Sequence, residues 1–185
     1  MGLGNPGREH ANTRHNVGFM VAGALAQRWR LGPARQRFRG LLREGRVPTG
    51  AAEGARPATR VALLLPQTYM NEAGRSVGPA RGAFKLPPAR VLVVHDEIDL
   101  PFGEVRARTG GGLAGHNGLR SIRRELGSAE FTRVRVGVGR PESTDPEIVS
   151  AYVLGRFREG QQQVEELIER ACGEVERVVL QQDVP

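Results

Sequence analysis

The chain has 185 residues, 39% hydrophobic and 25% charged, with a net charge of +7 and a pI near 11.0. Length and balance fit one compact domain over 1–185, and no apolar run approaches the ~20 residues needed to cross a bilayer. Turn residues after Met1, where a secretory signal would carry a basic tract and an apolar core, argue against export, and the single Cys172 excludes an internal disulfide, so a cytoplasmic location is expected.

The first residues, MGLGNPG, hold a G-x-G-x-x-G pattern at Gly2, Gly4 and Gly7. Val17, Met20, Val21, Ala24 and Leu25 then recur at i, i+3, i+4, i+7 and i+8, and Asn16 is a suitable N-cap, which predicts a helix over about 16–30. Residues 37–47 read as one strand, and the loop PTGAAEGARPAT separates it from a second, RVALLLP. After the turn QTYMN, the weakly helical EAGRSVGPARGAFKL ends at Pro87 and Pro88. RVLVVHDEIDLP is a continuous apolar strand with polar residues at its carboxyl end, where open α/β sheets place their chemistry. GEVRARTG and RVRVGVG alternate as strands. Between them GGGLAGHNG leads into a helix with Leu119, Ile122 and Leu126 on one face. A closing helix over about 159–181 carries an apolar stripe from Val164 to Val179, bordered by Cys172, whose expected role is packing. Alternating strands and helices predict an α/β fold.

Charge is uneven along the chain. Residues 102–140 hold eight arginines against three acids, whereas 157–185 hold three against seven. This asymmetry suits a polyanionic partner. With nine aromatic residues in all, base stacking has little to work with, so arginine–phosphate contacts would dominate any nucleic-acid binding.

Two motifs mislead. A dinucleotide fingerprint needs a strand before its first glycine and an acid about 20 residues on; Gly2 has only Met1 ahead of it, and residues 20–32 contain no Asp or Glu. GRSVG centres a formal G-x-S-x-G on Ser76, and Ser76, Asp96 and His116 follow the chain order of an α/β-hydrolase triad. Here, however, PQTYMNEA intervenes between strand and motif, which places Ser76 inside a helix. The four histidines show no familiar zinc spacing, so no metal and no cofactor is expected. What recurs is His and Asn at junctions between loops and elements: Asn5, His15–Asn16, Asn71, His95–Asp96 and His116–Asn117. An imidazole steered by a carboxylate can take a proton from water, and carboxamides can donate to a developing oxyanion.

Four blocks, GLGNPGREHANTRHNVGF, LLLPQTYMNEAGRSVG, VLVVHDEIDLPFGEVRARTGGGLAGHNGLRSI and RVRVGVGRP, together resemble the bacterial peptidyl-tRNA hydrolase family over nearly the whole chain. The resemblance implies one α/β domain with a twisted mixed β-sheet flanked by helices on both faces. It also implies hydrolysis of the ester between peptide and tRNA 3′ ribose, without a cofactor and with peptidyl-tRNA as partner; a monomer is expected. His15 matches the general base and Asp96 the carboxylate that orients it. Asn5, Asn71 and Asn117 match cleft carboxamides, Met70 and His116 cleft-wall positions, and Arg108 and Arg135 a pair that clamps the tRNA 5′ phosphate. GGGLAG matches a mobile gate. An alternative of another class is a non-catalytic RNA-binding relative.

Two departures from the family pattern stand out. A short apolar strand usually precedes GLGNPG, and its absence here leads us to expect a start upstream in the natural protein and an unfilled place in the sheet. His10 stands where tyrosine is common.

Overall fold

The computed structural model describes residues 1–47 and 58–181, so the loop PTGAAEGARPAT lies outside the described residues apart from Ala58 and Thr59. Its centre is a three-stranded sheet of β4 (Leu92–Glu97), β6 (Thr132–Gly137) and β5 (Val105–Thr109), in the order β4-β6-β5. β4 and β6 run parallel with Val94 opposite Val134 and Asp96 opposite Val136, while β5 lies antiparallel to β6 with Arg108 opposite Arg133. The sheet is therefore mixed, as expected. A second, antiparallel sheet is formed by β1 (Arg35–Arg37), β2 (Gly40–Val47) and β3 (Thr59–Pro66). The single strand expected over 37–47 is in fact a hairpin, because Phe38 and Arg39 both take positive φ, 54° and 52°, and turn the chain between β1 and β2. Neither residue belongs to the Asn-Gly class that announces such turns.

The expected unfilled place in the sheet is filled only in part. Gly2 N–H donates to the Leu64 carbonyl on β3 (3.2 Å), Leu3 N–H to the Val94 carbonyl (2.9 Å), and Val94 N–H to the Met1 carbonyl (2.9 Å). Met1–Leu3 thus links β3 to β4. Beside Met1 lies a cavity of about 760 Å³, lined in part by Trp29, Val61, Leu63 and Leu92.

Helices cover both faces. α1 (Val17–Arg28) and α5 (Gln161–Gln181) pack Val17, Val21, Leu25, Leu167, Ala171 and Val175 against Val94, Val134 and Val136. On the other face, α2 (Gly74–Ala83) and α3 (Asn117–Leu126) pack Val77, Leu119, Ile122 and Leu126 against Val91, Val93 and Phe131. Each fully buried side chain of this kind stabilises the fold by roughly 1.5–3 kcal/mol. A fifth helix, α4 (Pro146–Leu154), has no counterpart in the sequence reading; Asp145 caps it by accepting from Glu147 N–H, with Pro146 at its first position. No helix among the described residues is long and apolar enough to cross a membrane.

The approach of α1 to the central strands depends on Gly18, where a Cβ would be driven into the backbone oxygens of Val94 and Leu3. Gly23, on the same helix, has nothing near the corresponding position. We expect Gly18→Ala to destabilise by about 1–3 kcal/mol in urea denaturation, because backbone cannot move aside. Gly23→Ala should instead stabilise by roughly 0.5–1 kcal/mol from helix propensity. Equal behaviour of the two variants would contradict the close packing.

Candidate active site

Three histidines that lie far apart in the sequence gather around Asp96, at the carboxyl end of β4. His15 sits in a 3-10 turn, Arg14–Asn16, directly before α1. The turn is anchored by buried Arg14, which donates to the Arg156 carbonyl (2.5 Å) and lies 4.3 Å above the Tyr152 ring. His15 Nδ1 lies 2.9 and 3.0 Å from the two Asp96 oxygens. A carboxylate only accepts, so Nδ1 carries the hydrogen and Nε2 keeps its lone pair on the cleft side of the ring. His116 reaches the same carboxylate from the opposite helical layer, with Nε2 3.0 Å from Oδ1. Its Nδ1 accepts from the Gly118 and Leu119 amides (3.1 and 3.4 Å) as the N-cap of α3, which places its hydrogen on Nε2. His95 is buried beneath, donating from Nδ1 to the Asp96 backbone carbonyl (2.7 Å) and meeting the His116 ring edge-on at 5.0 Å.

Electrostatics follow from this packing. Burial alone would lower the His15 pKa, but the charge of Asp96 and its hydrogen bond outweigh burial and raise it above 6.5. Burial would raise Asp96, yet His15 and His116 hold it well below the usual carboxylate range. His95, desolvated and next to His116, is pushed down to about 3 and stays neutral. His15, Asp96 and His116 bring three possible metal-ligating atoms within 4.8 Å of one another. The lone pair that His116 would offer is already directed at the α3 amides, and Nε2 carries a hydrogen, so the set is built to hydrogen-bond internally.

Carboxamides line the adjoining cleft, a cavity of about 810 Å³ that includes Asn5, His15, Met70, Asn71, Asp96, His116 and Asn117. Asn5 Oδ1 accepts from Met70 N–H (2.8 Å), which turns the NH₂ end of the side chain to the cleft. Asn16, the expected N-cap of α1, makes no capping bond; its side chain accepts from Asn5 N–H (2.8 Å) and donates to the Asn5 carbonyl (2.9 Å). Asn71 lies in the 3-10 turn Met70–Glu72 and Asn117 begins α3, both exposed. Met70 lines the cleft but is otherwise packed with Leu3 and Leu119 in the core. His10 is absent from the lining.

The expected phosphate pair lies on one face of the central sheet. Arg108 is exposed on β5; Arg135 on β6 is held by Glu97 (Nε to Oε2, 2.9 Å), a carboxylate only 3% exposed. Between them Arg133 is buried. It donates to the carbonyls of Gly112 (2.7 Å) and Gly110. Burial, Arg108 and Arg135 all lower its pKa, while Glu97 raises it. The misleading motifs resolve too. Ser76 is buried in α2 with its hydroxyl donating to the Arg39 carbonyl (3.0 Å), and Cys172 is buried against α1, its thiol pushed up to about 11 by desolvation.

The sequence model for peptidyl-tRNA hydrolase matches residues 1–184. This chain belongs to that family. A peptidyl-tRNA hydrolase of Sorangium cellulosum is 50% identical over 85% of the chain, which spans 66% of that protein's length. One from Gloeobacter violaceus is 42% identical, covering 97% of the chain and 86% of its own length. The crystal structure of the Acinetobacter baumannii peptidyl-tRNA hydrolase superposes with a TM-score of 0.82 at 38% identity, covering 100% of this chain and 88% of that one.

Within this peptidyl-tRNA hydrolase fold, seven of the residues singled out in the sequence line one cleft, and the supports that Asn16 gives Asn5, Glu97 gives Arg135 and Arg14 gives the His15 turn went unassigned. Asn16 and Glu97 each adjoin a chosen residue, and that adjacency was the available signal. One expected outcome tests the electrostatics. By NMR titration His15 should show a pKa above 6.5, and in Asp96→Asn it should fall, because desolvation then acts without the opposing charge. An unchanged value would break the assignment.

Proposed function

We propose that this chain hydrolyses the ester of peptidyl-tRNA, with water as nucleophile and His15 as general base. The observation that carries this reading is the direction of the His15 ring: Asp96 takes Nδ1–H, leaving the basic Nε2 free in a cleft lined by Asn5, Asn71 and Asn117. A water between Nε2 and the ester carbonyl gives up its proton as it attacks, and Asp96 stabilises the imidazolium that forms. Carboxamide N–H groups, that of Asn5 held ready by Met70, then receive the oxyanion. Collapse expels the ribose oxygen, to which the imidazolium returns the proton. No serine or cysteine takes part, in keeping with the placements of Ser76 and Cys172.

Arg108 and Arg135 are assigned to the tRNA 5′ phosphate. Their shared face, the 19% exposure of the Arg135 side chain and its alignment by Glu97 support a two-armed grip. The protein is further proposed to act as a monomer in the cytoplasm, a setting compatible with its one buried thiol.

Purified protein should release peptide from an N-blocked aminoacyl-tRNA. His15→Ala should lose about 10²–10⁴ in kcat, the range of a general base, while keeping tRNA affinity. If both proteins hydrolyse equally, His15 is not the base. For the wild type, kcat/KM should fall on the acid side with a midpoint above 6.5, since His15 must be neutral to accept a proton and Asp96 raises its pKa. Asp96→Asn should slow the reaction and move that limb to lower pH.

A further inference from the structure

Arg133 belongs neither to the cleft nor to the exposed phosphate-binding pair, and its placement is unusual. It is a cation 1% exposed, set between two other arginines, and Glu97, the carboxylate whose charge acts on it, is bonded to Arg135. Burying a charge without its own counter-ion is costly unless its hydrogens are well used. Here Nη1 and Nη2 are directed at the carbonyls of Gly112 and Gly110, while Nε is buried with no partner among the described residues. Solvation does not require this bond at Gly112, since that residue is exposed and water could serve its carbonyl. The bond's effect is to fix position.

What it fixes leads straight to the reaction centre. Gly110, Gly111, Gly112 and Gly115 carry no side chain that would stiffen the loop, and three of them take positive φ. Leu113 is its one buried side chain, and its next restraint is His116 N–H on the Leu113 carbonyl (2.9 Å). Immediately after comes His116, whose ring caps α3 and donates to Asp96. Gly111 also lies so close to Arg108 that a Cβ there would collide with its guanidinium. The loop that the family resemblance makes a gate is held at its root by Arg133.

We infer that Arg133 is a positioning residue: by gripping the glycine loop it keeps His116 on Asp96, and it does so from inside the arginine cluster assigned to the tRNA phosphate. The second half of this inference rests on the proposed phosphate site; the first half does not.

Two variants separate geometry from charge. Arg133→Lys keeps a cation but cannot reach both carbonyls, whereas Arg133→Met loses charge and grip together. With N-acetyl-aminoacyl-tRNA as substrate, Arg133→Lys should lower kcat roughly tenfold, as expected for a displaced catalytic array, with KM within about twofold of wild type. Arg133→Met should lower kcat at least as far and also raise KM for tRNA bearing its 5′ phosphate, so that the wild-type preference for phosphorylated over dephosphorylated substrate shrinks. Should Arg133→Met not fold, Arg133→Lys alone decides. Amide hydrogen exchange adds a readout that general loosening would not reproduce: Gly118 and Leu119, capped by His116, should exchange faster while β4 and α1 keep wild-type protection. Wild-type kcat in Arg133→Lys would overturn the inference, as would a kcat loss with Gly118 and Leu119 still protected. A wild-type enzyme indifferent to the 5′ phosphate would overturn the phosphate assignment and the second half, while kcat in Arg133→Lys would still decide the first.

Discussion

A single buried carboxylate joins the two helical layers. Asp96, at the end of β4, accepts from His15 on the α1 side and from His116 on the α3 side. Two N–H donors keep it ionised at a depth where an unpaired charge would not survive. The same bonds settle the ring orientations, because His116 also caps α3 and, among the described residues, His15 has no side-chain hydrogen bond except to Asp96. Charge burial, tautomer and helix placement are therefore one problem with one solution. The free lone pair on His15 is what remains once it is solved.

That arrangement depends on how near the layers come to the strand. Gly18 allows α1 to rest on the backbone of Leu3 and Val94, and Gly118 allows α3 to pack against Leu3 and Met70. Both contacts involve the residues that precede Asn5, so the first carboxamide and the base are located by the same close approaches. Alternation along β4 adds the rest. Asp96 and Glu97 point to opposite faces, one toward the imidazoles and the other toward Arg135.

Much of this was legible in the sequence. The strand VLVV with HDE at its carboxyl end identified both the central element and its chemistry, since apolar runs of this length are buried on both faces and α/β sites lie at such ends. The helix beginning after Asn16 followed from its periodicity. The hairpin at Phe38–Arg39 was hidden because neither residue favours positive φ, and α4 was passed over although Asp145–Pro146 carried a start signal. Clustering of His15, His95 and His116 lies beyond any spacing rule, because it arises when three elements meet. Long-range partners such as Arg14 with Tyr152 were hidden for the same reason.

Asn16 shows how a stretch of backbone outside any strand is satisfied beside the cleft. Its side chain meets the Asn5 backbone with one acceptor and one donor, as a neighbouring peptide unit would. In effect a detached amide takes the seat of an adjoining strand for the length of one residue. That pairing uses the Asn5 N–H and one lone pair of its carbonyl, so any group that enters the groove meets Asn5 through its side chain and the one lone pair left over.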